Sequence, residues 1–271
     1  MTYRVAMSTH KGGVGKTSLT LQIAYVFAKA GLKTLVVDFD PQGNCSSRIY
    51  SGEYTGTPVH SLFEDELDAV VPVQCAENLW GLLVPIDPET EDLIDEMVNI
   101  QDRDPSCLVN PLQHIQSIED QFDIILYDTP PNLGNLLVSA ILAASHILIP
   151  IEPAGFARAG VSQIYDTIGK LQDATGHSVE VAGFVFNKVR KEVGLHRDAL
   201  AKIRKTPGVG SLVFKAQVGN RSRMDIANTE MKPLSQYKDG AGRTVYKEVH
   251  AVGQELLKRL GAKALIKKGG F

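Results

Sequence analysis

Residues 8–18, STHKGGVGKTS, combine three glycines, two lysines and the threonine Thr17 at spacings that suit phosphate binding. Glycines allow backbone N–H groups to approach phosphate oxygens closely, because no Cβ stands in the way. Lys16 would reach the β- and γ-phosphates of a nucleotide, and the hydroxyl of Thr17 would coordinate Mg²⁺. The predicted nucleotide-binding residues are Lys11, Gly12, Gly13, Val14, Gly15, Lys16, Thr17 and Ser18.

This loop departs from the strict phosphate-loop motif, G-x-x-x-x-G-K-[ST], at its first position. The motif would place a glycine at position 10, which is His10, and a second lysine, Lys11, stands directly before Gly12. The loop is therefore a deviant version of the motif, and its additional lysine requires an explanation.

The segments around the loop provide the context that a phosphate loop requires. Residues 3–9 read as a strand, and apolar residues recur at helical spacing from Thr17 up to Gly31. A strand, a glycine-rich turn and a helix in this order place the helix N-terminus, with its partial positive charge, at the bound phosphates.

Three carboxylates follow two further strands with continuous apolar runs. Asp38 and Asp40 end the segment KTLVVDFD, and Asp128 ends QFDIILYD. Strands of this kind are typical of parallel sheets buried on both faces, where ligands bind at the carboxyl ends of the strands. We expect Asp128 to act as a Walker B carboxylate that holds the magnesium site together with Thr17.

Seven segments in the chain read as strands, and helical patterns lie between them. This alternation predicts an α/β fold with a doubly wound, mostly parallel sheet of about seven strands and helices on both faces, as in phosphate-loop NTPases. We see no linker or repeat, and we predict one domain over residues 1–271. The predicted strands lie in segments 3–9, 33–44, 79–86, 121–131, 146–152, 179–188 and 211–218.

Composition favours a cytosolic protein. The sequence has no run of 18 apolar residues, so we expect no membrane-spanning helix. It also does not begin with a charged segment followed by an apolar one, so we expect no secretory signal. The three cysteines, Cys45, Cys75 and Cys107, are odd in number and far apart, which argues against a disulfide framework or a metal site within the chain.

Charge is distributed unevenly along the chain, although the formal net charge is only −3. Residues 1–187 contain 9 Lys and Arg against 24 Asp and Glu, whereas residues 188–271 contain 19 against 7. A basic region of this kind is typical of a polyanion-binding surface, so we expect residues 188–271 to form a DNA-binding face. Without a base-reading motif, contacts would go to phosphates and would be independent of sequence.

The motifs taken together resemble the ParA/MinD family of deviant-Walker ATPases, and most closely its ParA-type partition branch. The resemblance covers nearly the whole chain, with the segments in the order that the family shows. They are KGGVGKTS, VVDFDPQGN, DIILYDTPPNLG, ILIPIEP, FVFNKVR and PLSQYKDGAGRTVYKEV.

This resemblance implies an answer for the additional lysine. In such proteins the lysine at the position of Lys11 reaches across an ATP-sandwich dimer to the phosphates of the partner, and Gly12 is small so that the two loops can approach. It also implies that Asp40 polarises the attacking water and contributes to the metal site, that Asp38 supports the metal and loop network, and that Asn187 hydrogen-bonds the adenine.

The resemblance further implies ATP and Mg²⁺ as cofactors, an ATP-dependent homodimer, and ATPase activity that is weak without a partner. The expected partners are non-specific DNA and a ParB-like adaptor that carries the cargo and activates hydrolysis, which implies a cytoplasmic, nucleoid-associated protein. The candidate DNA-binding residues are Arg221, Arg223, Lys202, Arg204 and Lys205.

A membrane-cycling positioning ATPase of the MinD type is the alternative reading. Such a protein would need a C-terminal amphipathic helix, and QELLKRLGAKALIKKGGF mixes apolar residues with five basic ones. Gly261 interrupts this segment, and most of the basic charge lies upstream of it, so membrane binding is the weaker expectation.

Overall fold

The structure is a computed structural model, and it describes residues 1–9, 11–85, 100, 105–131, 134–153, 168–170, 172–173, 176–190 and 192–271. His10 and Ile86, the last residue of the third predicted strand, lie outside the described residues. The ranges below refer to the described part of the chain.

In the described part of the chain, eight strands form one sheet in the order β3-β4-β2-β5-β1-β6-β7-β8. All neighbouring pairs are parallel except β3 and β4, which are antiparallel. The predicted fold class is confirmed, and all seven predicted strands are present. The strands are β1 (Tyr3–Met7), β2 (Thr34–Asp38), β3 (Val73–Ala76), β4 (Leu79–Leu82), β5 (Ile124–Asp128), β6 (His146–Ile151), β7 (Glu180–Val189) and β8 (Val213–Gly219).

The eighth strand, β3, was not predicted. It is four residues long and pairs antiparallel with β4 at one edge of the sheet, and only Val73 among its residues is buried. A short edge strand with one buried side chain gives neither a continuous apolar run nor a readable alternation. Its pairing with β4 therefore had no clear signal in the sequence.

Central strands are apolar throughout because both faces of the sheet are covered. In β5 the side chains of Ile125 and Tyr127 pack into one core, and those of Ile124 and Leu126 pack into the core on the other face. Successive side chains of a strand point to opposite faces, so a strand buried on both sides has no polar face.

Helices cover both faces of the sheet. Helices α1, α6, α7 and α8 pack in one core, and α3, α4 and α5 contribute to the other. The helices are α1 (Lys16–Lys29), α2 (Ser46–Ile49), α3 (Asn110–Gln116), α4 (Asn135–Ala143), α5 (Gly194–Arg204), α6 (Ser222–Thr229), α7 (Gly240–Arg259) and α8 (Lys263–Gly269). Short 3₁₀ helices span Val59–Phe63, Pro105–Val109, Glu119–Gln121, Gly210–Leu212 and Leu234–Gln236.

The C-terminal segment packs its apolar side chains against the fold. Leu265 of α8 is buried, and the ring of Phe271 contacts Phe27 of α1 edge-on, with 5.8 Å between ring centroids. The ammonium group of Lys268 pairs with Asp123 at 2.5 Å. In the described part of the chain, no helix is both long and apolar enough to cross a membrane.

Helix α7 also lies along the edge strand β8 and binds its backbone. The carboxylate of Glu255 accepts hydrogen bonds from the N–H groups of Lys215 (3.0 Å) and Ala216 (2.8 Å), and Glu248 accepts one from Gly219 (2.9 Å). The guanidinium of Arg259 donates to the carbonyl oxygen of Val213 at 2.9 Å. Side chains of α7 thus act as hydrogen-bonding partners for this strand.

Candidate nucleotide site

Three adjacent strands bring the predicted acidic residues and the phosphate loop together. Strand β5 lies between β2 and β1, and Asp128 is in register with Asp38 on one side and with Met7 on the other. The phosphate loop follows β1, so it begins beside these two carboxylates. The site therefore forms at the carboxyl ends of the strands, as the sequence predicted.

Glycine is required at two positions of the loop. The backbone φ angles of Gly13 and Gly15 are +76° and +90°, in the left-handed region. A Cβ on Gly15 would also lie 2.3 Å from the side-chain nitrogen of Asn187. Helix α1 begins directly afterwards at Lys16, and among the described residues no side chain caps its N-terminus. Its first N–H groups therefore remain available for an anion.

Two neighbouring residues at the end of β7 hold carbonyl groups of the loop. The side-chain amide of Asn187 donates to the carbonyl oxygen of Val14 at 2.8 Å, and the ammonium group of Lys188 donates to that of Gly13. With these carbonyls bound from the β7 side, the N–H groups of the loop can face phosphate. Asn187 was predicted as an adenine contact, and the contact observed in this structure is with the loop itself.

Lys16 is a buried lysine among carboxylates. It is 7% exposed, and burial lowers its pKa, while the charges of Asp128 and Asp40 act in the opposite direction. Its position at the start of α1, beside the ends of β2 and β5, matches that of a cation that receives phosphate oxygens.

Asp128 is bound by two hydroxyl groups of α1. The hydroxyl of Thr17 donates to its Oδ2 at 2.6 Å, and that of Thr20 lies 3.3 Å from its Oδ1 and shares its proton with the carbonyl oxygen of Lys16 at 3.0 Å. The carboxylate is fully buried, and burial together with the charge of Asp38 raises the pKa of Asp128 to about 8. The predicted pair of Thr17 and Asp128 is therefore brought into direct contact.

Asp38 and Asp40 have different surroundings although they are two residues apart. Asp38 is fully buried and accepts hydrogen bonds from the N–H (2.8 Å) and the hydroxyl (2.7 Å) of Ser46 and from the N–H of Asp40 (3.1 Å). Burial raises the pKa of Asp38 to about 6. Asp40 is 8% exposed and accepts a hydrogen bond from the N–H of Gln42 at 3.1 Å.

The donor chemistry of these residues fits Mg²⁺. A hydroxyl and buried carboxylates are hard oxygen ligands, and Mg²⁺ in nucleotide sites is held by few protein groups, with phosphates and water completing the octahedron. Among the described residues, no group of three His, Cys, Asp or Glu is arranged to hold a metal ion. A site with Thr17 and one or two carboxylates, completed by the nucleotide, agrees with that arrangement.

The buried carboxylates predict a pH dependence for the nucleotide-free protein. Because the pKa values of Asp38 and Asp128 are raised from 3.8 to about 6 and about 8, the folded state binds more protons than the unfolded state between pH 4 and 8. The free energy of unfolding should therefore fall as pH rises through this window. Urea denaturation at several pH values measures it.

An Asp128→Asn variant isolates this effect from other titrating groups. Its unfolding free energy should fall less between pH 5 and 8 than that of the parent, because the Asn side chain does not ionise. Equal pH slopes for the two proteins would contradict the assignment.

Lys11 differs from Lys16 in its exposure. The side chain of Lys11 is 55% exposed, and its ammonium group lies 3.7 Å from a carboxylate oxygen of Glu152, which follows β6. A Cβ on Gly12 would be at ordinary contact distance, 3.9 Å, from Pro131. In the described part of the chain, therefore, Gly12 has room for a Cβ, and Lys11 is held by a single ion pair while more than half of its side chain stays exposed.

The structure separates the candidate DNA-binding residues into two sets. Arg221 and Arg223 follow the carboxyl end of β8, and they pair with Glu248 at 3.1 Å and Asp239 at 2.9 Å. Lys202, Arg204 and Lys205 are exposed at the end of α5, which precedes the amino end of β8. Seven strand residues span about 20 Å, so the two sets lie at opposite ends of the sheet.

Sequence reasoning missed four residues that shape the site. The first three are the hydroxyl residues Thr20 and Ser46 and the carboxylate Glu152. Their residue types alone do not indicate a position in a nucleotide site. The fourth, Lys188, was counted only as part of the basic region, and the structure places its ammonium group on the phosphate loop instead. Its position directly after Asn187 was the one available hint.

The fold and this site define a phosphate-loop nucleotide-binding protein. Comparison with known proteins agrees: a family profile described as an AAA domain matches residues 2–181. The chain is 30% identical over 231 residues to the chromosome-partitioning ATPase Soj of Treponema pallidum, covering 84% of this chain and 87% of that protein. It is 29% identical over 262 residues to the chromosome partitioning protein ParA of Myxococcus xanthus, covering 94% and 88%.

Among solved structures, the McdA–ATP complex of Cyanothece superposes with a TM-score of 0.77, covering 96% of each chain. The two sequences are 16% identical, so this likeness concerns the fold alone. The chain belongs to the AAA domain family, in its ParA/MinD-type ATPase group, and the resemblance inferred from the motifs is confirmed.

Proposed function

We propose that this protein is a positioning ATPase that dimerises around ATP and binds DNA without sequence preference as a dimer. A ParB-like partner that carries the cargo stimulates hydrolysis and releases the dimer from DNA. The cargo is a plasmid, a chromosome or another assembly. The names of the relatives, a chromosome-partitioning ATPase and a chromosome partitioning protein, support this class of activity.

The observation that carries the proposal is the contrast between the two lysines of one loop. Lys16 is buried beside Asp128, where it serves the nucleotide of its own chain, whereas the side chain of Lys11 is 55% exposed. A cation that is free to leave its own loop can reach a second nucleotide across a two-fold axis, where two sets of phosphates face each other. There it would stabilise the charge that develops during phosphoryl transfer, as an arginine finger does.

The carboxylates divide the remaining work. When bound, Mg²⁺ would neutralise phosphate charge, and Thr17 and Asp128 are the residues placed to hold it, with Asp40 as a further contributor. Asp40 is the candidate that orients the attacking water. Asp38 holds the turn after β2 through Ser46 and the N–H of Asp40, and thereby fixes Asp40.

If DNA binding depends on ATP, the better candidates for DNA contacts are the basic residues at the carboxyl ends of the strands, where the nucleotide site lies. A sandwich dimer joins two chains at that end, so a DNA surface composed of both chains must lie near it. Arg221 and Arg223 follow the carboxyl end of β8, where the nucleotide site also lies, whereas Lys202, Arg204 and Lys205 lie at the far end. We assign the ATP-dependent contact to the arginine pair, with the α5 residues as a secondary surface.

We expect Arg223→Gln to weaken ATP-dependent DNA binding at least about tenfold, and Lys11→Ala to abolish it although Lys11 touches no DNA. Loss of one phosphate contact per chain should lower the log–log salt slope of the dimer by about 2. The measurement is a biosensor titration on unrelated duplexes with ATP and with ADP.

Lys33→Gln removes the same charge from an exposed residue at the amino end of β2, outside both candidate sets, and is the matched control. Because Arg223 contacts the N-cap residue of α7, Asp239, the variant must first be shown to dimerise with ATP like the parent. Equal DNA affinity of the parent with ATP and with ADP would contradict the proposed coupling. Normal binding by Arg223→Gln would contradict the assigned surface.

The membrane-cycling alternative loses support from the packing of the C-terminal segment. Insertion into a bilayer needs an apolar helix face that is free, whereas Leu265 is buried and Phe271 contacts Phe27. Membrane binding would require this segment to leave the fold.

A further inference from the structure

One carboxylate lies between two lysines at the rim of the nucleotide site. Strands β1, β6 and β7 are neighbours in the sheet. Lys11 follows β1, Glu152 follows β6, and Lys188 lies near the end of β7. The ammonium group of Lys188 lies 3.4 Å from one carboxylate oxygen of Glu152, and that of Lys11 lies 3.7 Å from the other. The strand order thus brings together three charges that are far apart in sequence.

The two lysines are held differently. Lys188 also donates to the carbonyl oxygen of Gly13, and its backbone φ is +54°, an uncommon value for a residue other than glycine. It is therefore fixed between the phosphate loop and Glu152. Within the described residues, Lys11 contacts Glu152 through this ion pair, and the side chain of Lys11 is more than half exposed.

We propose that Glu152 retains Lys11 on its own chain in the nucleotide-free monomer and releases it when the dimer forms. This inference rests on the proposed function, in which Lys11 reaches the nucleotide of the partner chain. When Lys11 leaves, Glu152 keeps Lys188 as its partner, so release does not leave an unpaired carboxylate beside the phosphates. Glu152 is thus a positioning residue that sets how readily the dimer forms.

The size of the effect follows from the exposure of the pair. Partly exposed ion pairs contribute little and are screened by salt, so the contact can be exchanged without a large barrier. Its removal should change the dimerisation equilibrium by about two- to fivefold. A regulatory contact needs this modest strength, because a stronger one would prevent dimerisation.

The test uses Glu152→Gln in the full chain, with a non-hydrolysable ATP analogue at saturation and analytical ultracentrifugation as the readout. We expect the protein concentration at half-dimerisation to fall about two- to fivefold in low salt. The difference from the parent should shrink in about 0.5 M salt, where the Debye length is only a few ångströms. A purely structural role would not show this salt dependence.

Affinity for ADP, measured by titration calorimetry on the monomer, separates retention of Lys11 from a general charge effect. If the variant only made the site less negative, ADP would bind more tightly by a similar factor, whereas retention of Lys11 predicts a change in ADP affinity much smaller than the shift in the dimerisation midpoint. Glu180→Gln is the matched control, because this substitution removes the same charge at the opposite end of β7. The side chain of Glu180 is 80% exposed.

The outcomes distinguish this inference from the proposed function. If the parent does not dimerise with the ATP analogue, the proposed function fails. If the parent dimerises and Lys11→Ala does not, but Glu152→Gln has the midpoint of the parent, the role of Glu152 is refuted alone. Tighter ADP binding by the same factor as the shift in midpoint would refute it as well.

Discussion

Lys16→Ala should lose ATP binding, with an affinity at least about 100-fold below that of the parent. Lys16 is the buried cation of the site, and a charged hydrogen bond to each of two phosphates contributes about 3 kcal/mol together. Titration calorimetry with ATP and Mg²⁺ measures the loss. An unchanged dissociation constant would contradict the role assigned to Lys16.

The control for this variant is Lys29→Ala, which removes an exposed lysine from the other end of the same helix. It should bind ATP like the parent. Because Lys16 also lies among buried carboxylates, both variants need a denaturation curve, which shows that a loss of binding is not a loss of folding.

Asp40→Ala should bind ATP and dimerise but hydrolyse ATP at least about 100-fold more slowly, the range typical of a lost general base. The carboxylate of Asp40 is nearly buried at the carboxyl end of β2, and its backbone is fixed by Asp38, so its removal should leave the phosphate loop intact. Turnover assays show the rate, and light scattering with ATP shows a dimer that persists.

Glu77→Ala is a suitable control for this second variant, because Glu77 is an exposed acid in the turn between β3 and β4, at the other end of the sheet. Its turnover should equal that of the parent. Hydrolysis by Asp40→Ala at the rate of the parent would refute the role of Asp40, and failure to dimerise would show that Asp40 also shapes the interface.

Features that are local in sequence were predictable here. Each of these features lies within about a dozen residues: the continuous apolar runs of β2 and β5, and the glycine spacing before Lys16. They were therefore enough to place Asp38, Asp128 and the phosphate loop together at the carboxyl ends of the strands. The edge strand β3 failed this criterion, because it is four residues long and mostly exposed.

Contacts that depend on strand order were not predictable. Glu152 meets Lys11 and Lys188 because β6 lies between β1 and β7, and no local pattern states that order. The partner of Asp38 is similar: Ser46 reaches it only because the chain turns back after β2. The charge asymmetry predicted a basic region, but it did not separate Lys188, whose ammonium group binds the phosphate loop, from the residues that we propose contact DNA.

The hydrogen bonds between α7 and β8 limit how copies of this protein can associate when many of them are close together. An uncovered edge strand offers unpaired backbone groups on which a second chain can extend the sheet, which is a common route to aggregation. Here Glu248 and Glu255 occupy N–H groups of that strand, and Arg259 occupies a carbonyl. Copies brought close together, for example on the DNA that we propose they bind, therefore cannot join their sheets through this edge unless α7 first moves away.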